Sequence, residues 1–144
     1  LIGTGTEQTP DLARVQYDTL INDQSVNVDF DFTDYVFEVA EVGTYLVQWW
    51  ASTDGSGASP IIQFGVAVNF GDATQRINEG CSPIVTGQVS GMTLVTITGA
   101  DLVFPGVLFP GNVAHIGIRN FSGDTVNYGA TFWHSQCTII EVSV

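Results

Sequence analysis

The chain has 144 residues, the size of one ordinary domain and enough to bury a core without metals or disulfides. Apolar residues make up 44% and charged residues only 12%, against roughly 25% charged in a typical globular domain, so much of the surface must be Thr, Ser, Asn, Gln and Gly or hidden against other chains. Lysine is absent, the basic residues are Arg14, Arg76 and Arg119, and a formal net charge of -12 excludes nucleic acid and anionic lipid as partners.

The acidity is uneven. Nine carboxylates, from Glu7 to Glu41, precede Gly43, and the remainder of the chain is nearly neutral. No stretch has the length of a transmembrane helix, so membrane insertion is not expected, and no basic-then-apolar leader opens the sequence. A start at Leu1 without methionine leads us to expect a piece of a longer protein. Residues 1–144 are read as a single domain, with 1–25 as a leading segment.

Helical periodicity is nearly absent, while short β-branched and aromatic runs recur between turn signals, which predicts an all-β sandwich or barrel. The expected strands are 13–20, 26–32, 35–39, 43–51, 61–70, 84–89, 92–98, 113–120 and 131–144, the last broken near His134. Between them the stretches TDGSGASP, NFGDAT, FPGVLFPGN and NFSGD read as turns, being rich in residues that tolerate tight backbone geometry. In FPGVLFPGN the two Phe-Pro-Gly units read as turns whose phenylalanines anchor a long crossing loop.

The strand beginning at Gly43 carries the most specific pattern. Consecutive strand residues face opposite ways, so Tyr45, Val47, Trp49 and Ala51 share one face, and Thr44, Leu46, Gln48, Trp50 and Ser52 share the other. The first set is a sandwich core. The second is half polar yet still holds Leu46 and Trp50, the pattern of a covered surface that is not fully dry. In IIQFGVAVNF, Ile62, Phe64, Val66, Val68 and Phe70 line one face, and the small residues Gly65 and Ala67 on the other permit close approach of another layer.

Residues with chemical potential are few. Cys81 and Cys137 permit one disulfide, and burial of Cys137 as a small strand hydrophobe is equally open. His115 and His134 lack the His-x-His, Glu and further His of a jelly-roll metal site, and read as partly buried strand residues. Asp29, Asp31 and Asp34 could offer oxygens to calcium, but a hard cation wants six to eight, so a solvated strand face is the preferred reading. Ser90 lacks the Gly-x-Ser-x-Gly elbow, no carboxylate pair suits glycoside hydrolysis, and no glycine-rich phosphate loop opens a helix. No enzymatic role and no cofactor are expected. Asn120-Phe121-Ser122 matches the N-glycosylation pattern, which belongs in a surface turn of a secreted protein and is accidental in a bacterial one.

The order of motifs supplies a resemblance. Gly43-Thr44-Tyr45 opens a strand ending in an aromatic pair, followed by a Gly/Ser-rich loop and Phe64-Gly65-Val66-Ala67-Val68-Asn69. Gly87-Gln88-Val89-Ser90-Gly91 then leads into Leu94-Val95-Thr96-Ile97, Gly111-Asn112 turns into Val113 to Asn120, Asn120-Phe121-Ser122-Gly123 follows, and the chain closes on Thr138-Ile139-Ile140-Glu141-Val142. From Val26 to Val142 this resembles the C-terminal domain of the collagen-like exosporium glycoproteins of spore-forming bacteria, jelly rolls similar to tumour necrosis factor and the complement globular heads.

The resemblance implies a ten-stranded jelly roll that assembles as a homotrimer at the tip of a collagen-like stalk on the spore or cell surface. It sends Tyr45, Val47 and Trp49 into the sandwich and Leu46, Gln48 and Trp50 toward a three-fold axis. The acidic first third departs from the family pattern. A carbohydrate- or receptor-binding jelly roll of a surface appendage, with a host surface or glycan as ligand, is the alternative.

Overall fold

The computed structural model describes residues 2–3, 8–20, 23, 25–53, 62–79, 87–128 and 134–143. In chain order the strands are β1 (Ile2–Gly3), β2 (Gln8–Thr9), β3 (Val28–Asp31), β4 (Val36–Val39), β5 (Gly43–Thr53) and β6 (Phe64–Val68). They continue as β7 (Arg76–Glu79), β8 (Gly87–Ile97), β9 (Phe104–Pro105), β10 (Asn112–Asn120), β11 (Val126–Asn127) and β12 (Ser135–Ser143). The fold is all-β, and every pairing among these strands is antiparallel.

Two sheets carry the architecture. The first has the order β1-β12-β5-β8 and the second β3-β4-β10-β6-β7, while β2 and β11 form a small separate pair. The chain crosses between the sheets after β4, β5, β7, β8 and β10, so that neighbours within a sheet are mostly distant in sequence. One hydrophobic cluster fills the space between them, with Tyr45, Val47, Trp49, Val95 and Ile97 from the first sheet meeting Phe30, Phe37, Phe64, Val66 and Ile116 from the second. Trp49 stacks on Phe64 with ring centroids 6.4 Å apart.

Strand length follows local chemistry. β5 and β8 pair over eleven residues in unbroken register, from Gly43 opposite Ile97 to Thr53 opposite Gly87. The two strands expected at 84–89 and 92–98 are therefore one where they are described. Ser90-Gly91 does not end the strand: Ser90 pairs with Trp50 and Gly91 with Trp49 inside the continuous ladder. The segment 13–20, expected as a strand, has bridge residues at Arg14, opposite Arg119, and at Thr19 but no continuous strand; its start runs beside β10, with Val15 donating to the Ile118 carbonyl and Asn120 to the Ala13 carbonyl, and Val15 and Tyr17 are buried in the core. Conversely β7, Arg-Ile-Asn-Glu, was not expected, since it is polar and gains its place by pairing with β6 across the NFGDAT turn. That turn is tight, with Asn69 at φ 49° and Gly71 at φ 92°. The loop at 54–61, residue Cys81 with its possible disulfide, and the start of the last expected strand at 131–133 lie outside the described residues.

The outer side of the second sheet is covered by the chain's own loops. Gly65, Ala67 and Gly117 keep it thin: a Cβ on Gly117 would lie 3.7 Å from Val36 Cγ1 and 3.9 Å from Arg14 Cγ. The close layer anticipated from these small residues is thus intramolecular. Glu38, fully buried on this side, accepts hydrogen bonds from the backbone N–H groups of Val107 and Leu108, both 2.8 Å, and so ties down the loop after β9. Phe104 anchors the same loop by stacking on His115 at 4.3 Å between centroids. The arginines are used here too: Arg14 donates to the Asp34 carbonyl, and Arg119 donates to the Leu12 carbonyl while lying 3.7 Å over the Phe70 ring. Arg76 pairs with the buried Asp101 at 2.9 Å.

Because a charged acceptor holding two buried N–H groups is worth more than a neutral one, Glu38→Gln should destabilise the fold by roughly 1–3 kcal/mol, read as a lower urea midpoint. Replacing one carboxylate oxygen by an NH2 sets a donor against a donor. His115 generates a pH dependence. Burial lowers its pKa below the usual 6.5, an effect reinforced by Arg14 and opposed by Glu38, Asp34 and Asp31. The folded state therefore binds fewer protons than the unfolded state below pH 6.5. Its contribution is present above that pH and is lost as pH falls toward the folded-state pKa. His115→Phe, which keeps the stack on Phe104, should lose less stability between pH 7 and pH 5 than the parent chain in parallel urea titrations.

Candidate functional site: an uncharged sheet face

The first sheet differs from the second in that the middle of its outer face is partly open among the described residues, with Ser52 at one end buried. Its outer face is set by register alone. Ile140, Leu46 and Leu94 lie side by side in one row, Thr138, Gln48 and Met92 in the next, and Gln136, Trp50 and Ser90 in the third. None of these nine residues is ionisable. Met92 is 63% and Leu94 60% exposed, with Ile140 also open. A groove of about 500 Å³ runs between Gln48, Trp50, Met92, Gln136 and Thr138.

The two adjacent tryptophans divide as strand alternation requires. Trp49 is buried in the sandwich, whereas Trp50 lies half-buried on the outer face and donates its indole N–H to Gln136 Oε1 at 3.0 Å. An amide on the neighbouring strand thus satisfies the only polar atom of that ring, leaving its apolar faces for contact. Leu46, Gln48 and Trp50 are brought together as one stripe down β5. The flanking Met92, Leu94 and Ile140 escaped sequence reasoning, although the signal existed: GMTLVTI alternates, and pairing β8 with β5 puts Met92 and Leu94 beside Gln48 and Leu46.

The other singled-out residues sit apart from this face or are used structurally. Asp29 Oδ1 accepts the Phe30 N–H and Asp31 Oδ1 the Thr33 N–H, each at 2.7 Å. Asp31 is buried, contrary to the expectation of a solvated strand face, because the hairpin turn to β4 folds over it. Among the described residues no three His, Cys, Asp or Glu side chains are grouped to hold a metal ion. His134 stacks on Tyr128 at 5.3 Å. Cys137 is buried facing Tyr17, and burial raises its thiol pKa to about 12. Asn120 is not in a surface turn. It is fully buried at the end of β10, with Nδ2 donating to the Asp124 carbonyl at 2.7 Å and Oδ1 accepting the Ser122 N–H at 2.9 Å. That side chain shapes the NFSGD turn and is closed to a glycosyltransferase.

Among the described residues no helix is long and apolar enough to cross a membrane. No protein-family model matches this chain, and no curated protein sequence matches it.

Truncation of the inner indole should unfold what the outer one should not. Trp49→Ala is expected to cost about 3–5 kcal/mol by emptying the core beside Phe64, measured by urea denaturation. Trp50→Ala, on the open face, should leave the unfolding of the isolated subunit within about 1 kcal/mol.

Proposed function

We propose that this chain is a non-enzymatic jelly-roll head domain whose copies assemble as a homotrimer through the outer face of the first sheet. The jelly-roll reading is supported by the strand order, in which the chain passes repeatedly between two antiparallel sheets, with β3–β4, β6–β7 and β9–β10 as hairpins among the described residues. One observation carries the assembly reading: among the described residues the back of the second sheet is covered by loops held by Glu38, Arg14 and Arg119, while the back of the first presents apolar and amide side chains without an ionisable group.

Electrostatics favours this face over any other. Two copies each carrying -12 repel at contact, and at physiological salt, with a Debye length of about 8 Å, that repulsion is least where no ionisable group is present. Leu46, Gln48 and Trp50 form the centre of the proposed interface, with Met92, Leu94 and Ile140 as their flanks. The mixture of aromatic, aliphatic and amide groups is that of protein interfaces, which exclude charge from their core. In keeping with the family resemblance, we place the head at the end of a collagen-like stalk on the spore surface, where it would align three chains and present a durable exterior. Gly-X-Y triplets immediately upstream of Leu1 in the full gene product would support that placement, since only a triple helix imposes the repeat.

A second reading, a receptor- or glycan-binding tip, has one observation in its favour. The loop pinned by Glu38 presents Val107 at 72% exposure beside Leu108. These side chains are aliphatic, which suits a protein receptor better than a sugar.

Light scattering coupled to size exclusion tests the assembly. The parent chain should elute as a trimer, and Trp50→Arg should shift it to monomer or aggregate. Val107→Arg, an equal charge change on the pinned loop, should leave the trimer intact. A trimer indifferent to Trp50→Arg defeats the interface, and a trimer broken only by Val107→Arg moves it to the loop.

A further inference from the structure

The lateral edge of the first sheet carries a second interaction surface, distinct from its outer face. β1, β8, β3 and β7 are the outermost strands of the two sheets. Natural edge strands are kept from pairing with other molecules by being short, by charge, by proline or by a bulge. β1 has two residues, β3 holds Asp29 and Asp31, and β7 holds Arg76 and Glu79. β8 has none of these guards. It runs for eleven residues, Gly87–Ile97, without an ionisable group, a proline or a break in its register with β5.

Register fixes which of its backbone groups face away from β5. The Ser52 N–H donates to the His134 carbonyl at 2.7 Å, so the even-numbered residues of β5 bond to β12 and the odd-numbered ones to β8. In the ladder where Trp49 lies opposite Gly91, the odd-numbered residues of β8 therefore turn their N–H and C=O groups toward β5. Gln88, Ser90, Met92, Leu94 and Thr96 turn theirs outward. Arg76 approaches from that side, with Nη2 donating to the Thr96 carbonyl at 2.8 Å, and closes that end. From Gln88 to Leu94 the outward row has no strand partner among the described residues, and only the Thr93 hydroxyl reaches it, 3.5 Å from the Leu94 carbonyl. Gln88, Ser90, Met92 and Leu94 are all exposed.

A row of this kind is complementary to itself. Two copies set antiparallel about a two-fold axis at Gly91 use all of it, with Gln88 facing Leu94 and Ser90 facing Met92 in both directions, for about eight main-chain hydrogen bonds. No charge opposes another along the contact, which matters between chains of net charge -12. A foreign strand rich in Lys or Arg would find no carboxylate in 87–97 to meet.

We propose that β8 is a self-pairing edge, through which two copies join their first sheets by antiparallel β8–β8 pairing centred on Gly91. The contact uses groups in the plane of the sheet and does not rest on the three-fold assembly. A single strand pair buries less than the roughly 1,200 Å² of a stable interface, so its dissociation constant is about 0.1 mM and it is lost on the dilution of a sizing column.

Amide hydrogen exchange of the full chain at two concentrations tests this. At that affinity the Ser90, Met92 and Leu94 amides should exchange about fourfold slower at about 1 mM than at about 10 μM. The Val89, Gly91, Thr93 and Val95 amides, bonded to β5, should be slow at both. Met92→Pro removes one outward N–H at an edge position, where proline is tolerated, and should abolish the concentration dependence at Ser90 and Leu94. Ser90→Asp keeps every amide but sets like charges near the axis, and should weaken the effect with recovery at high salt. Trp50→Arg, directed at the sheet face, should leave it intact even as the trimer is lost. A parent chain that is monomeric when dilute yet protected when concentrated likewise keeps the edge and loses the trimer. Fast exchange at Ser90, Met92 and Leu94 up to about 1 mM would overturn the proposal and leave the edge to a foreign strand. Slow exchange at both concentrations would do the same, since the chain itself would then fill the edge, as would loss of the concentration dependence in Trp50→Arg, which would assign the protection to the face.

Discussion

Two large rings on neighbouring strand positions cannot be sheltered on the same side, and this constraint at Trp49 and Trp50 shapes the whole first sheet. The inner ring fixes the core. It stacks on Phe64 across the sandwich and lies opposite Gly91 of β8, within a β5–β8 register unbroken for eleven residues. Once that register is set, every other residue of β5, β8 and β12 must face outward. The result is a face built from Leu46, Gln48, Trp50 and their lateral neighbours, whose makeup the core itself did not require.

The second sheet solves the same problem inside one chain. Its outer side carries Glu38, His115 and Arg119, groups that would be costly to bury alone, and each is satisfied or covered by a local loop. Small residues at Gly65, Ala67 and Gly117 let those loops approach the sheet. Burial lowers the Arg119 pKa to about 10, helped by the nearby Arg14, yet leaves the guanidinium charged at neutral pH. Using all three cations internally leaves an exterior dominated by carboxylates. On the proposed reading, contacts between copies fall where charge is absent, as on the outer face of the first sheet.

That division makes the chain's economy of charge the link between fold and proposed role. A protein with few ionisable residues on one face and many acidic groups elsewhere has its mutual orientations restricted by repulsion before any specific contact forms.

Periodicity in the sequence was sufficient for the all-β class, for most long strands, for the NFGDAT and FPGVLFPGN turns and for the separation of Trp49 from Trp50, because these depend on side-chain alternation and on residues that permit particular backbone angles. It was insufficient for 13–20, whose strand-like alternation yields only a short run of backbone bonds to β10, and for β7, whose polar residues become a strand only through β6. It also misplaced Asn120 and Asp31, whose burial comes from turns folding back over them. Which sheet face the chain's own loops cover, and which side chains distant in sequence meet, were decided by tertiary structure alone. Those properties join residues more than a hundred positions apart, as Asn27 and Glu141 are joined, and no local pattern of hydrophobicity or turn chemistry encodes a contact between segments that meet only after the sandwich has closed.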